Sequence, residues 1–164
     1  MSDFGDEDEP RPSLALPPLY VLRTAARCPE CGQAQYVYTL GCAAFHDAED
    51  GYASEVFHFL ALIRSLPEAL LHQLKTRCPG FYLDREEPEE RPYLMNHCDC
   101  GARFNDDFLH GDVGAAFWPD TTEGYGRFQL FRLPVEEPIP VACFCIVGGG
   151  EYLDFKAVKP FADL

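Results

Sequence analysis

Apolar and polar residues alternate along two stretches near the start of the chain. Residues 19–26 read as extended, with Tyr20, Leu22 and Thr24 on one side. Residues 35–40 repeat the pattern, with Tyr36 and Tyr38 set against Val37 and Thr39. The turn Cys28-Pro29-Glu30-Cys31-Gly32 lies between them, so the pattern predicts strand, tight turn, strand. A polar loop follows at 45–51. Residues 52–63 carry two periods at once: Phe57, Phe59, Ala61 and Ile63 fall every second position, while Val56, Leu60 and Ile63 fit a helix. The aromatic content favours a strand. Leu66, Leu70 and Leu74 then repeat every four residues and predict a helix over 66–77. Ser65-Leu66-Pro67-Glu68 has the form of a capping box, with Pro67 in the first turn, where its missing N–H costs little. Lys75 and Arg77 suit the negative helix end, and Pro79-Gly80 stops it.

Further along, residues 84–92 (DREEPEERP) read as an exposed charged connection, and 104–119 as short strands with tight turns. Residues 127–133 and 141–147 read as strands. The second is apolar at every position, as expected of a strand covered on both faces. Gly148-Gly149-Gly150 leads into 151–155 and predicts a C-terminal hairpin. The elements sum to one α+β domain over 19–164, with a mostly antiparallel β-sheet and one main helix. Its expected core includes Leu70, Leu74, Phe104, Phe108, Phe117, Trp118, Phe144 and Ile146. Residues 1–18 are expected to be an acidic, disordered leader, with Asp3, Asp6, Glu7, Asp8 and Glu9 against Arg11.

Composition narrows the class. With 47% hydrophobic and 24% charged residues the chain is globular. Its 13 Lys and Arg face 27 Asp and Glu, for a net charge of −14. Such a chain is repelled by phosphate backbones and anionic lipid, which argues against general nucleic-acid or membrane-surface binding. No secretory signal or long apolar span is present, so the expected compartment is the cytoplasm, where thiols stay reduced.

The eight cysteines then read as metal chemistry. A CxxC turn followed by Gly aims two thiolates at one point, and zinc takes four such ligands in a tetrahedron. Cys28 and Cys31 supply one pair. Cys98-Asp99-Cys100-Gly101 is the other pair ending in Gly, and His97 offers an HxxC alternative. The ligand set is therefore Cys28, Cys31 and Cys100 with Cys98 or His97, Cys98 being favoured. Closing the roughly 66-residue loop between the pairs costs a few kcal/mol, which the metal can offset. Four protein ligands leave no position for water, so the expected zinc is structural.

The motifs Cys28-Pro29-Glu30-Cys31, Ser65-Leu66-Pro67-Glu68, Tyr93-Leu94-Met95-Asn96-His97-Cys98, Cys100-Gly101-Ala102 and Phe108-Leu109-His110 resemble a family of small, largely uncharacterised bacterial proteins. That family shares a split zinc ribbon with a helix-containing insertion between its cysteine pairs. The resemblance spans about residues 20–119 and implies zinc binding and a bacterial origin. The family's second pair usually reads CxxCGA, where this chain has CDCGA.

The remaining cysteines read as packing: Cys143 and Cys145 share one face of an apolar strand, and Cys42 and Cys78 stand alone. Asp106, Asp107, His110 and Asp112 are the best group for acid–base chemistry, although turns use the same residues. Three functions compete. The preferred one is a non-enzymatic, zinc-stabilised acidic module that binds a basic protein partner, in the manner of an immunity or antitoxin-type protein masking a toxin. The alternatives are a zinc-ribbon nucleic-acid-associated or regulatory protein, and a hydrolase using the metal or the Asp/His group.

Overall fold

A computed structural model describes residues 13–47, 51 and 53–164. Its strands are β1 (Ser13–Arg27), β2 (Ala34–His46), β3 (Ala53–Ser54), β4 (His58–Ser65), β5 (Tyr82–Asp84), β6 (Tyr93–His97), β7 (Arg103–Phe104), β8 (Gln129–Arg132), β9 (Ile139–Val147) and β10 (Lys159–Pro160). The α-helices are α1 (Glu68–Arg77), α2 (Asp106–His110) and α3 (Thr122–Tyr125). All strand pairs are antiparallel except β10 with β8, so the expected antiparallel sheet with one main helix is present.

The ladder closes on itself. β1 pairs with β2, β2 with β4, β4 with β9, and β9 returns to β1, forming a ring of four strands. β1 can serve two neighbours on one edge because it is long: Ser13–Ala15 pair with β9, and Tyr20–Arg23 pair with β8. The register shifts between Leu16 and Leu19, around Pro17 and Pro18, where prolines without an N–H are tolerated as a bulge. A second, small sheet of β5, β6 and β7 stands against the ring.

Period-two alternation builds two cores from the same strands. Leu19 and Val21 join Leu40, Leu60 and the helix residues Leu70 and Leu74 in the first. Tyr20 and Leu22 join Val37, Phe59, Phe104, Phe117 and Phe128 in the second, which is rich in aromatics and also holds Cys28 and Cys98. Burying each Leu of α1 stabilises the fold by roughly 1.5–3 kcal/mol, enough to hold a ten-residue helix that would not persist alone.

Several expectations are corrected. Within the described residues β1 already runs from Ser13, inside the stretch expected to be a leader, and residues 1–12 of that stretch lie outside the described residues. β2 runs on to His46, into the expected loop, and residues 48–50 and Tyr52 also lie outside the described residues. The capping box does not form: Ser65 pairs with Ala142 in the ladder, and Pro67 takes the N-cap without a side-chain bond. Residues 106–110 are helical because Asn105 caps them, its side chain accepting from the Phe108 N–H at 2.8 Å. The C-terminal hairpin is absent, since Gly150–Tyr152 turns as a 3-10 helix after a left-handed Gly149. Of the expected core, Leu70, Leu74, Phe104 and Phe117 are buried and Ile146 is half-buried, but Phe108, Trp118 and Phe144 are exposed. Phe144 is 62% exposed, so β9 is not covered on both faces.

Candidate metal centre

The two cysteine pairs occupy the tips of two β-hairpins. β1 and β2 pair out to Arg27 and Ala34, and the chain then turns through 28–33. In that turn the Cys28 N–H donates to the Gln33 carbonyl at 2.9 Å and the Gly32 N–H to the Cys28 carbonyl at 3.0 Å. β6 and β7 end the same way, with the Cys98 N–H on the Ala102 carbonyl (2.8 Å) and the Gly101 N–H on the Cys98 carbonyl (2.9 Å). Gly32 (φ 76°) and Gly101 (φ 94°) sit in the left-handed region that these tight turns require and that side chains resist.

The tips face each other. The Cys28 and Cys100 sulfurs are 3.7 Å apart, those of Cys31 and Cys98 are 3.5 Å apart, and all four lie within 4.8 Å of one another. A tetrahedron with metal–sulfur bonds of about 2.3 Å has edges of about 3.8 Å, close to the 3.5 and 3.7 Å separations across the two hairpins. Each hairpin gives one buried sulfur (Cys28, Cys98) and one exposed sulfur (Cys31, Cys100). The N–H groups of Cys31 and Glu30 donate to the Cys28 sulfur at 3.5 and 3.4 Å. With the Cys31 N–H as the main cause, they hold that thiol low, at about 6, against the effect of burial. At Cys98 the Cys100 N–H acts in the same sense, but burial and the neighbouring sulfurs outweigh it and push the thiol up to about 12. The cluster thus starts to ionise easily, and a cation is needed to gather four thiolates.

Two amides fasten the small hairpin to the ring. The Asn96 side chain pairs with the Tyr38 backbone in both directions, accepting from its N–H at 2.8 Å and donating to its carbonyl at 2.9 Å. Gln35 donates to the His97 carbonyl at 2.8 Å and accepts from the Asp99 N–H at 3.2 Å. Asn96 extends the β2 edge where β4 no longer pairs with it. Sequence reasoning missed both residues, although a buried Asn within an apolar strand is a signal that an unusual edge needs a partner.

The gathered sulfurs are those of Cys28, Cys31, Cys98 and Cys100, and His97 is not among that group. Its Nδ1 lies 2.7 Å from the Gly80 carbonyl oxygen and its Nε2 2.7 Å from Asp84, and its ring stacks on Tyr82 at 4.0 Å. Burial alone would raise the Asp84 carboxyl, but hydrogen bonds from His97 and from Arg103 (2.8 Å) overcome it and hold the group at about 2.

The acid–base group is split by the fold. Asp107 and Asp112 are exposed, whereas Asp106 and His110 are buried. His110 stacks on Phe117, its Nδ1 has no partner among the described residues, and burial pushes it down to about 4. Asp106 accepts from the Leu62 N–H at 2.7 Å. Burial outweighs that bond and pushes its carboxyl up to about 7. Leu62 itself has a φ of 49°, a conformation costing a side chain about 1–2 kcal/mol, at the register break of β4. Asp106 therefore braces the kink of this strand.

The other cysteines are set apart. Cys42 and Cys78 are fully buried, and desolvation pushes both thiols up to about 12. Cys143 and Cys145 place their sulfurs 3.9 Å apart on one face of β9, half-buried as the alternation predicts. Among the described residues no helix is long and apolar enough to cross a membrane. Comparisons with family models, curated proteins and solved structures found no match.

Proposed function

We propose that the four sulfurs hold one structural zinc ion and that the two hairpin tips form a split zinc ribbon, as in the bacterial family the motifs resemble. The supporting observation is the inter-sulfur spacing of 3.5–3.7 Å across hairpins far apart in sequence. Four thiolates suit zinc by their softness and number, and they fill its tetrahedron, so the ion ties the β6–β7 hairpin to the ring rather than activating water. About one zinc per chain, lost in a Cys28→Ser/Cys31→Ser variant, is the expected result of metal analysis. Purified chain without bound metal at micromolar zinc would overturn this reading.

On this scaffold the protein acts as a cytoplasmic, non-enzymatic binding module. Its net charge of −14 favours a basic protein partner, such as a toxin that it masks in the manner of an immunity or antitoxin protein. The burial of Asp106 and His110 supports this over the hydrolase reading. The knuckles carry Glu30 and Asp99, which supports it over nucleic-acid binding. Association with a basic partner should weaken about tenfold or more between 50 and 500 mM salt. An association indifferent to salt would remove the electrostatic basis of the assignment.

A further inference from the structure

A cleft of about 480 Å³ opens at the kink of β4, away from the cysteines, lined by Leu62, Arg64, Glu90, Arg91 and Tyr93. Its chemistry is unusual for so acidic a chain. Arg64 and Arg91 both belong to this small lining, and neither makes an ion pair with a described residue. Tyr93 accepts the Asp106 N–H at 3.1 Å, and its own O–H has no acceptor among the described residues. Burial, opposed by that N–H bond, pushes the phenol up to about 12, so it remains a donor at neutral pH. Glu90 is the one carboxylate on the lining. The kink is firmly held: the Leu62 N–H is tied to the buried Asp106, and the neighbouring Asp106 N–H is tied to Tyr93. A strained backbone held by two hydrogen bonds shares one lining with Arg64, Arg91 and the Tyr93 hydroxyl as unused donors and Glu90 as acceptor, which is more than a surface irregularity.

We infer that this cleft binds a small zwitterion, a phosphate monoester carrying an ammonium group, between Arg64, Arg91 and Tyr93 on one side and Glu90 on the other. Guanidinium groups match a phosphate dianion through paired N–H donors, and the Tyr93 hydroxyl supplies a further donor to the same oxyanion. Glu90 would repel a plain dianion, whereas it attracts the ammonium of a zwitterion, so the lining selects both charges together.

Titration of the full zinc-loaded chain with O-phosphoethanolamine and with inorganic phosphate, followed by amide NMR, tests the assignment. Saturable shifts centred on Leu62, Arg91 and Tyr93 are expected, with phosphoethanolamine binding more tightly than phosphate. Arg64→Ala and Arg91→Ala should each weaken phosphoethanolamine about tenfold. Both side chains are exposed and unpaired, so an otherwise unchanged spectrum is expected and reports the fold directly. Glu90→Gln should reverse the preference by tightening phosphate. Shifts that do not saturate, or that persist in both Arg variants, would overturn the site. Phosphate binding more tightly than phosphoethanolamine to the unaltered chain would overturn the zwitterion.

Discussion

The cysteines fall into two sets whose surroundings are opposite. Cys28, Cys31, Cys98 and Cys100 sit at hairpin tips, with backbone N–H groups turned toward sulfur and solvent on one side. Cys42 and Cys78 sit in the first core, and Cys143 and Cys145 pack against it. Only residue type is shared. A thiol in the first set meets donors and three other sulfurs, so it is poised to become a ligand. Cys42 and Cys78 meet hydrocarbon, so they stay protonated and act as small apolar side chains. The contrast shows that thiol chemistry here is set by backbone geometry, two tight turns brought face to face, rather than by cysteine content.

The contrast is broken most severely by removing a ligand. Cys98→Ser should abolish stoichiometric zinc and destabilise the chain by on the order of 5 kcal/mol, read as a fall in melting temperature that added zinc does not restore. If the variant keeps its zinc and its melting temperature, the two sets are not different in kind. Thiol modification separates them next. After chelation at pH 8, the exposed Cys31 and Cys100 should react with iodoacetamide first. For Cys42 and Cys78, held at about 12, only about one molecule in ten thousand is ionised at that pH, and they should react only on unfolding. Peptide mass mapping over time gives the order.

The same burial has a thermodynamic sign. Cys42 and Cys78 bind their protons more tightly folded than unfolded, so the stability they confer is full below pH about 9 and is lost as pH climbs through about 12. Alkaline melting curves of Cys42→Ala should be flatter over that window. At neutral pH this variant should lose about 1 kcal/mol and keep its zinc. The smallest effect belongs to Gln35→Ala, which removes a clamp between the hairpins but no ligand. It should cost about 1 kcal/mol and speed zinc release to a chromogenic chelator without changing the stoichiometry.

The four gathered cysteines were legible because their signal is local. CxxC followed by Gly, and CxC followed by Gly, define turns within a few residues. The helix over 66–77 was legible for the same reason, although its start was misjudged because Ser65 belongs to the β4 ladder. What stayed hidden was non-local. The expected leader ended at Pro18, yet a strand runs through Pro17 and Pro18 because partners on both edges hold it. Phe108, Trp118 and Phe144 were assigned to the core by residue type, which is no guarantee of burial. The α2 turn was present in the sequence as Asn105 three residues before Phe108, but the surrounding aromatics and glycines masked it. The separation of His97 from the sulfurs depended on Gly80 and Asp84, which no spacing rule connects to it.

The closed ring sets the order in which this protein can mature. β1 and β2 are neighbours in sequence and can pair as soon as both have been synthesised, but their ring is completed by β9, which starts 93 residues after β2 ends (139 − 46). At ordinary translation speeds that interval is on the order of ten seconds. Through that time the Ser13–Ala15 edge and the apolar inner face of the early strands wait uncovered on the ribosome. A nascent chain of this design is therefore most exposed to chaperones, and to mispairing with its neighbours, just before its last long strand emerges.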